Sequence, residues 1–230
     1  MPKTPRELVM PPVVYRVPGM DQIAAHASDQ KYSPTHDLLL MDVYRPPGEA
    51  TVSIVLLIHG SAPVETKPKD WGIFQSWGRL LAASGMAAAI FNHRMLNADV
   101  LAALDFVRVN AKSWNADPER ICLFTWSGGG PLLAIEKPAS VKCITAFYAI
   151  LDCPVPQVPM FVARAGLDHI PGVNESIDRF AAEALAANAP LTLMNHPTGE
   201  HPFDNQNDNA RSHEIIKAAI TFMKTHLEID

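Results

Sequence analysis

The run Ile121-Cys122-Leu123-Phe124-Thr125-Trp126-Ser127-Gly128-Gly129-Gly130 constrains this chain more than any other segment. An apolar strand pattern stops abruptly at a serine followed by glycines, which is the pattern of a nucleophile elbow. In the G-x-S-x-G form of that turn the strand and helix backbones nearly touch. Small residues therefore flank the serine, and its hydroxyl is thrust out of the sheet. Gly129 fills the second small position, but Thr125 stands where the pattern has its first glycine. The elbow needs support from elsewhere in the chain.

Two later segments supply that support. Pro159-Met160-Phe161-Val162-Ala163-Arg164-Ala165-Gly166-Leu167-Asp168 reads as a strand end followed by an acid. Leu191-Thr192-Leu193-Met194-Asn195-His196-Pro197-Thr198-Gly199-Glu200-His201 reads as a strand followed by a base. A serine hydroxyl is a weak nucleophile at neutral pH, so it needs a base within reach and a group that holds the base in the right tautomer. The chain order Ser127, Asp168, His201 differs from the orders used by chymotrypsin-like and subtilisin-like enzymes and is the order of hydrolases built on a nucleophile elbow. Asp168 has a plainer reading as a helix cap or surface residue, with Asp152, after the preceding strand, as the reserve acid. His196 competes with His201 and is read as a loop hydrogen-bonding residue; Glu200 is read as solvated.

Further matches are Asp42-Val43-Tyr44-Arg45-Pro46, Leu57-Ile58-His59-Gly60, Asp117-Pro118-Glu119-Arg120-Ile121, Ala165-Gly166-Leu167-Asp168 and His201-Pro202-Phe203-Asp204. On these residues the chain resembles the α/β-hydrolase fold family, in its dienelactone hydrolase-like and small carboxylesterase-like branch, from about residue 37 to the C-terminus. The resemblance implies an α/β fold with a mostly parallel central sheet and helices on both faces. The chain departs from the pattern at Thr125 and at Ser61-Ala62-Pro63, where esterases of the HGGG type have further glycines. It also has Ser127 where many dienelactone hydrolases have cysteine.

Acyl transfer builds negative charge on the former carbonyl oxygen, which preorganised backbone N–H groups stabilise. One donor is expected at Gly128, the residue after the nucleophile. The other is expected in the loop after the His59 strand, at Ser61 or Ala62, since Pro63 has no N–H. His59 is read as a structural histidine that pins this loop. Trp126, Trp71 and Trp77 are candidates for the walls of a substrate pocket, and Trp126 is chosen because it adjoins the nucleophile.

A chain of 230 residues, 48% hydrophobic and 19% charged, is long enough for one substantial core. The expected organisation is an N-terminal extension, residues 1–36, followed by a single domain, 37–230. A formal charge of −5 without a Lys/Arg cluster argues against a nucleic-acid groove. No stretch approaches the roughly 18 apolar residues needed to cross a bilayer. Prolines 2, 5, 11, 12 and 18 interrupt any signal-peptide core, so a cytoplasmic location is expected. Three cysteines, Cys122, Cys143 and Cys153, imply no disulfide framework. Cys153 is a weaker rival nucleophile. No HExxH pair, GxxxxGK or GxGxxG loop occurs, so no metal, nucleotide or flavin cofactor is expected.

Along the chain, strands are expected over 37–45, 51–58, 86–91, 121–126 and 141–149. Helices are expected over 70–84, around 101–108, over 177–187, and on the apolar face of Ile215, Ile216, Ala219, Ile220, Met223 and Leu227. The connection from Ala149 to Pro159 holds Pro154, Pro156 and Pro159 and shows no helix, which leaves no room for a large cap domain. The segment before Asp37 has three readings: an extra strand, an arm over the pocket, or a contact between copies in a homo-oligomer.

These residues point to a hydrolase acting on a small-molecule ester or lactone through an acyl-enzyme. Ser127 attacks, His201 relays the proton and Asp168 orients His201. An acyltransferase, amidase or thioesterase would use the same triad. A noncatalytic α/β-hydrolase relative acting as a binding or scaffold protein is the rival from another class. It rests on Thr125, whose side chain threatens to open the elbow.

Overall fold

A computed structural model of the chain describes residues 5–228; residues 1–4 and 229–230 of the sequence analysis lie outside the described residues. Eight strands form one sheet: β1 (Ala25–Lys31), β2 (Leu40–Tyr44), β3 (Val52–Ile58), β4 (Ala87–Phe91), β5 (Ala116–Trp126), β6 (Val141–Phe147), β7 (Met160–Ala165) and β8 (Leu191–His196). Their order is β1-β2-β4-β3-β5-β6-β7-β8. The β1–β2 and β2–β4 pairs are antiparallel, and every pair from β4 through β3 to β8 is parallel.

The helices are α1 (Pro5–Val9), α2 (Gly72–Ala83), α3 (Asn97–Asn110), α4 (Val173–Ala186), the short α5 (Phe203–Gln206) and α6 (Ala210–His226). Of these, α2, α3, α4 and α6 pack on the sheet. All five residues of β4 and all but the first of β3 are buried. Strands covered on both faces need such continuous apolar runs rather than alternation. The α2 helix turns Ile73, Phe74, Trp77, Leu80 and Leu81 inward, as its spacing predicts.

Several elements differ from the sequence expectation: β2 begins at Leu40, β6 ends at Phe147 and α3 begins at Asn97. The β5 strand begins at Ala116, because its first residues extend the pairing to Val52 despite their polar side chains. The α4 helix begins at Val173, one turn before Ile177. After the elbow, where no helix range was expected, the chain forms a 3-10 helix, Ser127–Leu133, containing Pro131. Proline in a helix interior removes a donor and clashes with the preceding turn, which accounts for its brevity. Residues 148–159, between β6 and β7, contain neither helix nor strand.

The segment before Asp37 realises two of its three readings. Residues 25–31 form β1 and extend the sheet across residue 37, while Val13 and Met20 join the core. The β1 sequence, Ala-His-Ala-Ser-Asp-Gln-Lys, is half-exposed and polar, so no apolar run announces it. The buried Lys69 ammonium ties this edge down, reaching Asp42 at 3.0 Å and Asp29 at 2.9 Å. Asp42 also accepts from the Asp29 N–H at 2.8 Å. The other realised reading, an arm against the pocket, belongs to the site.

Candidate active site

Ser127 lies where β5 ends at the C-terminal rim of the sheet, with φ of 50°. A left-handed backbone is costly for a residue with a Cβ, by about 1–2 kcal/mol, and persists only where the surroundings impose it. Here three close approaches impose it. A Cβ on Gly60 would lie 2.9 Å from Ser127 Cβ, one on Gly128 would lie 2.0 Å from Ser61 Oγ, and one on Gly130 would lie 1.9 Å from the Ile150 carbonyl oxygen. The Ile150 N–H in turn donates to the Ser127 carbonyl at 2.9 Å. Thr125, the departure from the pattern, is buried, and its hydroxyl donates to the Ile58 carbonyl on β3 at 3.2 Å.

The acid and base loops leave β7 and β8, which are neighbours in the sheet. Gly166 N–H donates to His196 O and Leu167 N–H to Gly199 O, both at 2.8 Å. A Cβ on Gly166 would lie 2.5 Å from the Pro197 carbonyl oxygen, so the two loops touch backbone to backbone. Their contact brings His201 Nδ1 to 2.8 Å from Asp168 Oδ2, with the Asp168 side chain fully buried. The other carboxylate oxygen accepts from the Ile170 N–H at 2.9 Å. A carboxylate can only accept, so Nδ1 carries the proton and Nε2 is left as the basic nitrogen.

The loop after β3 is held by a pair of stacked histidines. His59 and His93 rings lie 3.5 Å apart and nearly parallel. The His93 N–H donates to His59 Nε2 at 3.3 Å, so the His59 proton is on Nδ1, which donates to the Gly60 carbonyl at 2.7 Å. The C=O and N–H of a trans peptide point in opposite directions. Fixing the Gly60 carbonyl therefore fixes the direction of the Ser61 N–H. That nitrogen is 3.2 Å from where a Gly128 Cβ would stand, beside the elbow. Ser61 lines the cavity; Ala62, the alternative donor, does not. Burial holds both imidazoles well below their ordinary range, His93 at about 4, with the neighbouring ring lowering His59 further.

Ser127 and His201 open into one cavity of about 280 Å³. Trp126 lines it as expected. So do Trp71, a candidate passed over in favour of Trp126, and Phe74, Tyr148 and Ile170, which the sequence did not single out. Trp77 is fully buried. The Tyr148 ring stands edge-on to His201 at 4.4 Å.

Asp204 explains part of this arrangement. Its fully buried carboxyl accepts from Tyr148 Oη at 2.5 Å, Trp77 Nε1 at 2.8 Å and Trp126 Nε1 at 3.2 Å. One side chain thus joins α2, the elbow strand, the end of β6 and the His201 loop. Burial pushes its carboxyl upward, opposed by the three donors. In sequence it appears as the last residue of His201-Pro202-Phe203-Asp204, with nothing to show that its partners are aromatic N–H and O–H groups.

The competing residues lie elsewhere. Asp152 is exposed and pairs with Arg179 at 2.9 Å. His196 is buried, with Nε2 3.2 Å from Asn209 Oδ1 and 3.1 Å from Ser212 Oγ. Cys153 is half-buried, and burial pushes its thiol up to about 11, away from the thiolate a nucleophile requires. Glu200 is exposed.

With sheet order, elbow and acid–base pair in place, the chain is an α/β-hydrolase-fold protein. A family model described as BD-FAE matches residues 41–144, from β2 through most of β6. Comparison with the curated proteins gives no match. Among solved structures, the chain is similar to a truncated carbohydrate esterase from gut microbiota. The TM-score is 0.72 at 16% identity, over 91% of this chain and 100% of that one. It is similar to a propionate-bound thermophilic esterase, Est2 of Thermogutta terrifontis, with a TM-score of 0.67 at 18% identity over 90% and 96%. Esterase B of Lactobacillus rhamnosis, inhibited by a tributyrin phosphonate, gives 0.74 at 13% identity over 93% and 88%. Among the described residues, no helix is long and apolar enough to cross a membrane.

Proposed function

We propose that the chain is a serine hydrolase that cleaves carboxylic esters through an acyl-enzyme. The reading rests on one observation above the rest: Ser127, in the left-handed conformation of an elbow, shares a cavity with His201, whose Nδ1 is held 2.8 Å from Asp168. Ser127 Oγ attacks the ester carbonyl as His201 Nε2 takes its proton. The N–H groups of Gly128 and Ser61 receive the charge that develops on oxygen. His201 then protonates the leaving alcohol, and water, deprotonated by the same nitrogen, releases the acid. Lactones would follow the same course, with the leaving alcohol still tethered. The esterases named above are similar in fold, which agrees with this reading.

Incubation with p-nitrophenyl acetate tests it. The native chain should release p-nitrophenolate catalytically, and rapid quenching should trap an acetyl group on Ser127. A Ser127→Ala chain with undiminished turnover would overturn it.

A further inference from the structure

The cavity lining includes two residues from far away in sequence, Leu8 and Val9 on and at the end of α1. They are held there by built contacts. The Asn205 side-chain amide donates to the Leu8 carbonyl at 2.6 Å and to the Pro11 carbonyl at 3.2 Å, and Gln206 Nε2 donates to the Leu8 carbonyl at 3.0 Å. Farther along, Val13 N–H donates to Ser76 Oγ and Val14 N–H to the Asp204 carbonyl, each at 2.8 Å. The Met10 carbonyl rests on Gly72, where a Cβ would come within 1.9 Å. The arm is therefore clamped between the start of α2 and the segment that follows His201.

The rest of the lining says what the arm encloses. Among the described residues, no Lys, Arg, Asp or Glu lines this cavity, and burial pushes the Tyr148 phenol far above neutrality. The aromatic side chains of Trp71, Phe74 and Trp126 suit apolar groups, and about 280 Å³ admits only a small one.

We propose that Leu8 and Val9 are specificity-determining residues, forming a size filter that restricts Ser127 to small esters. This rests on the esterase reading above. Leu8 sets the filter through bulk rather than chemistry, so shortening it and Val9 enlarges the cavity and enlarging Leu8 closes it.

The test compares kcat/KM of the native chain, Leu8→Ala/Val9→Ala and Leu8→Trp. One series is p-nitrophenyl acetate, butyrate, hexanoate and octanoate; a matched series is methyl, phenyl and 1-naphthyl acetate. Hydrophobic pockets discriminate roughly 10-fold or more per methylene where the wall is in contact, so the double variant should raise the long-to-short ratio in at least one series by about 10-fold. Leu8→Trp should lower it in the same series. Ratios within about twofold of native in both series, for both variants, would overturn the proposal. Hydrolysis of none of these esters by the native chain, with no reaction at Ser127, would mean that the esterase reading itself has failed, and the filter would fall with it. Native-like circular dichroism and thermal midpoints are required of each variant; should the double variant not fold, Leu8→Trp and Val9→Ala alone decide by the same ratios.

Discussion

The Thr125 hydroxyl stands where a side chain at residue 129 would have to go: a Cβ on Gly129 would lie 2.5 Å from Thr125 Oγ1. The elbow keeps its tight form because the space given up at one flanking position is recovered at the other. Thr125 also donates to the Ile58 carbonyl, so the added side chain is a bond between β5 and β3 and not merely tolerated bulk.

Gly129→Ala should therefore lower stability by about 1–3 kcal/mol and slow Ser127 chemistry, since overpacking displaces backbone. The same Cβ would also lie 2.6 Å from the His59 carbonyl oxygen. Thr125→Ala on that background should thus restore only part of the loss. Urea unfolding of the two single variants and the double variant checks this; full additivity would show that the two positions do not share space.

The His59–His93 stack should make stability depend on pH. His93 is protonated in the folded chain only near pH 4, and His59 is also held well below 6.5. Between about 4 and 6.5 the unfolded chain binds more protons than the folded one. Stability should be full above about pH 6.5 and fall as pH drops through that window, by up to about 1.4 kcal/mol per pH unit for each ring. Chemical denaturation at a series of pH values, with His93→Gln reducing the slope, measures it. A stability unchanged between pH 7 and 4.5 would contradict the assignment.

Asp168→Asn should leave the fold intact and lower kcat by about 10³–10⁴, because the amide donates to Nδ1 and drives the proton onto Nε2. Ester turnover at saturating substrate checks it. A loss below about tenfold would remove Asp168 from the acid role.

Asp204→Ala should be costlier to stability than to any single contact. It leaves Trp77 Nε1, Trp126 Nε1 and Tyr148 Oη buried without their acceptor, at roughly 1–3 kcal/mol for each orphaned group. A urea midpoint within error of the native chain would show that these donors find other partners.

Most of the fold was legible because its central strands are apolar on both faces and its helices carry clear stripes; β3 and β4 needed nothing beyond their continuous apolar runs, and α2 nothing beyond its periodicity. The elbow and the order of Ser127, Asp168 and His201 were legible because strand ends and turn residues are local. What escaped depends on contacts distant in sequence. Strand β1 forms on an edge where polar residues suffice, and its anchor, Lys69, lies far along the chain. Tyr148 reads as a strand residue, Asp204 as part of a loop, and Leu8 and Val9 as an extension; each acquires its role from partners on other elements. The direction of the Ser61 peptide, on which the proposed Ser61 donor rests, depends on the His59 contacts to Gly60 and His93, which lie on different elements.

The central claim, an activated serine at residue 127, is tested most directly by intact-mass analysis after exposure of the native chain and Ser127→Ala to a fluorophosphonate small enough for the cavity. A single adduct on the native chain, absent from the variant, is the predicted result. A folded native chain that takes no adduct, or a Ser127→Ala chain labelled to the same extent, would contradict it.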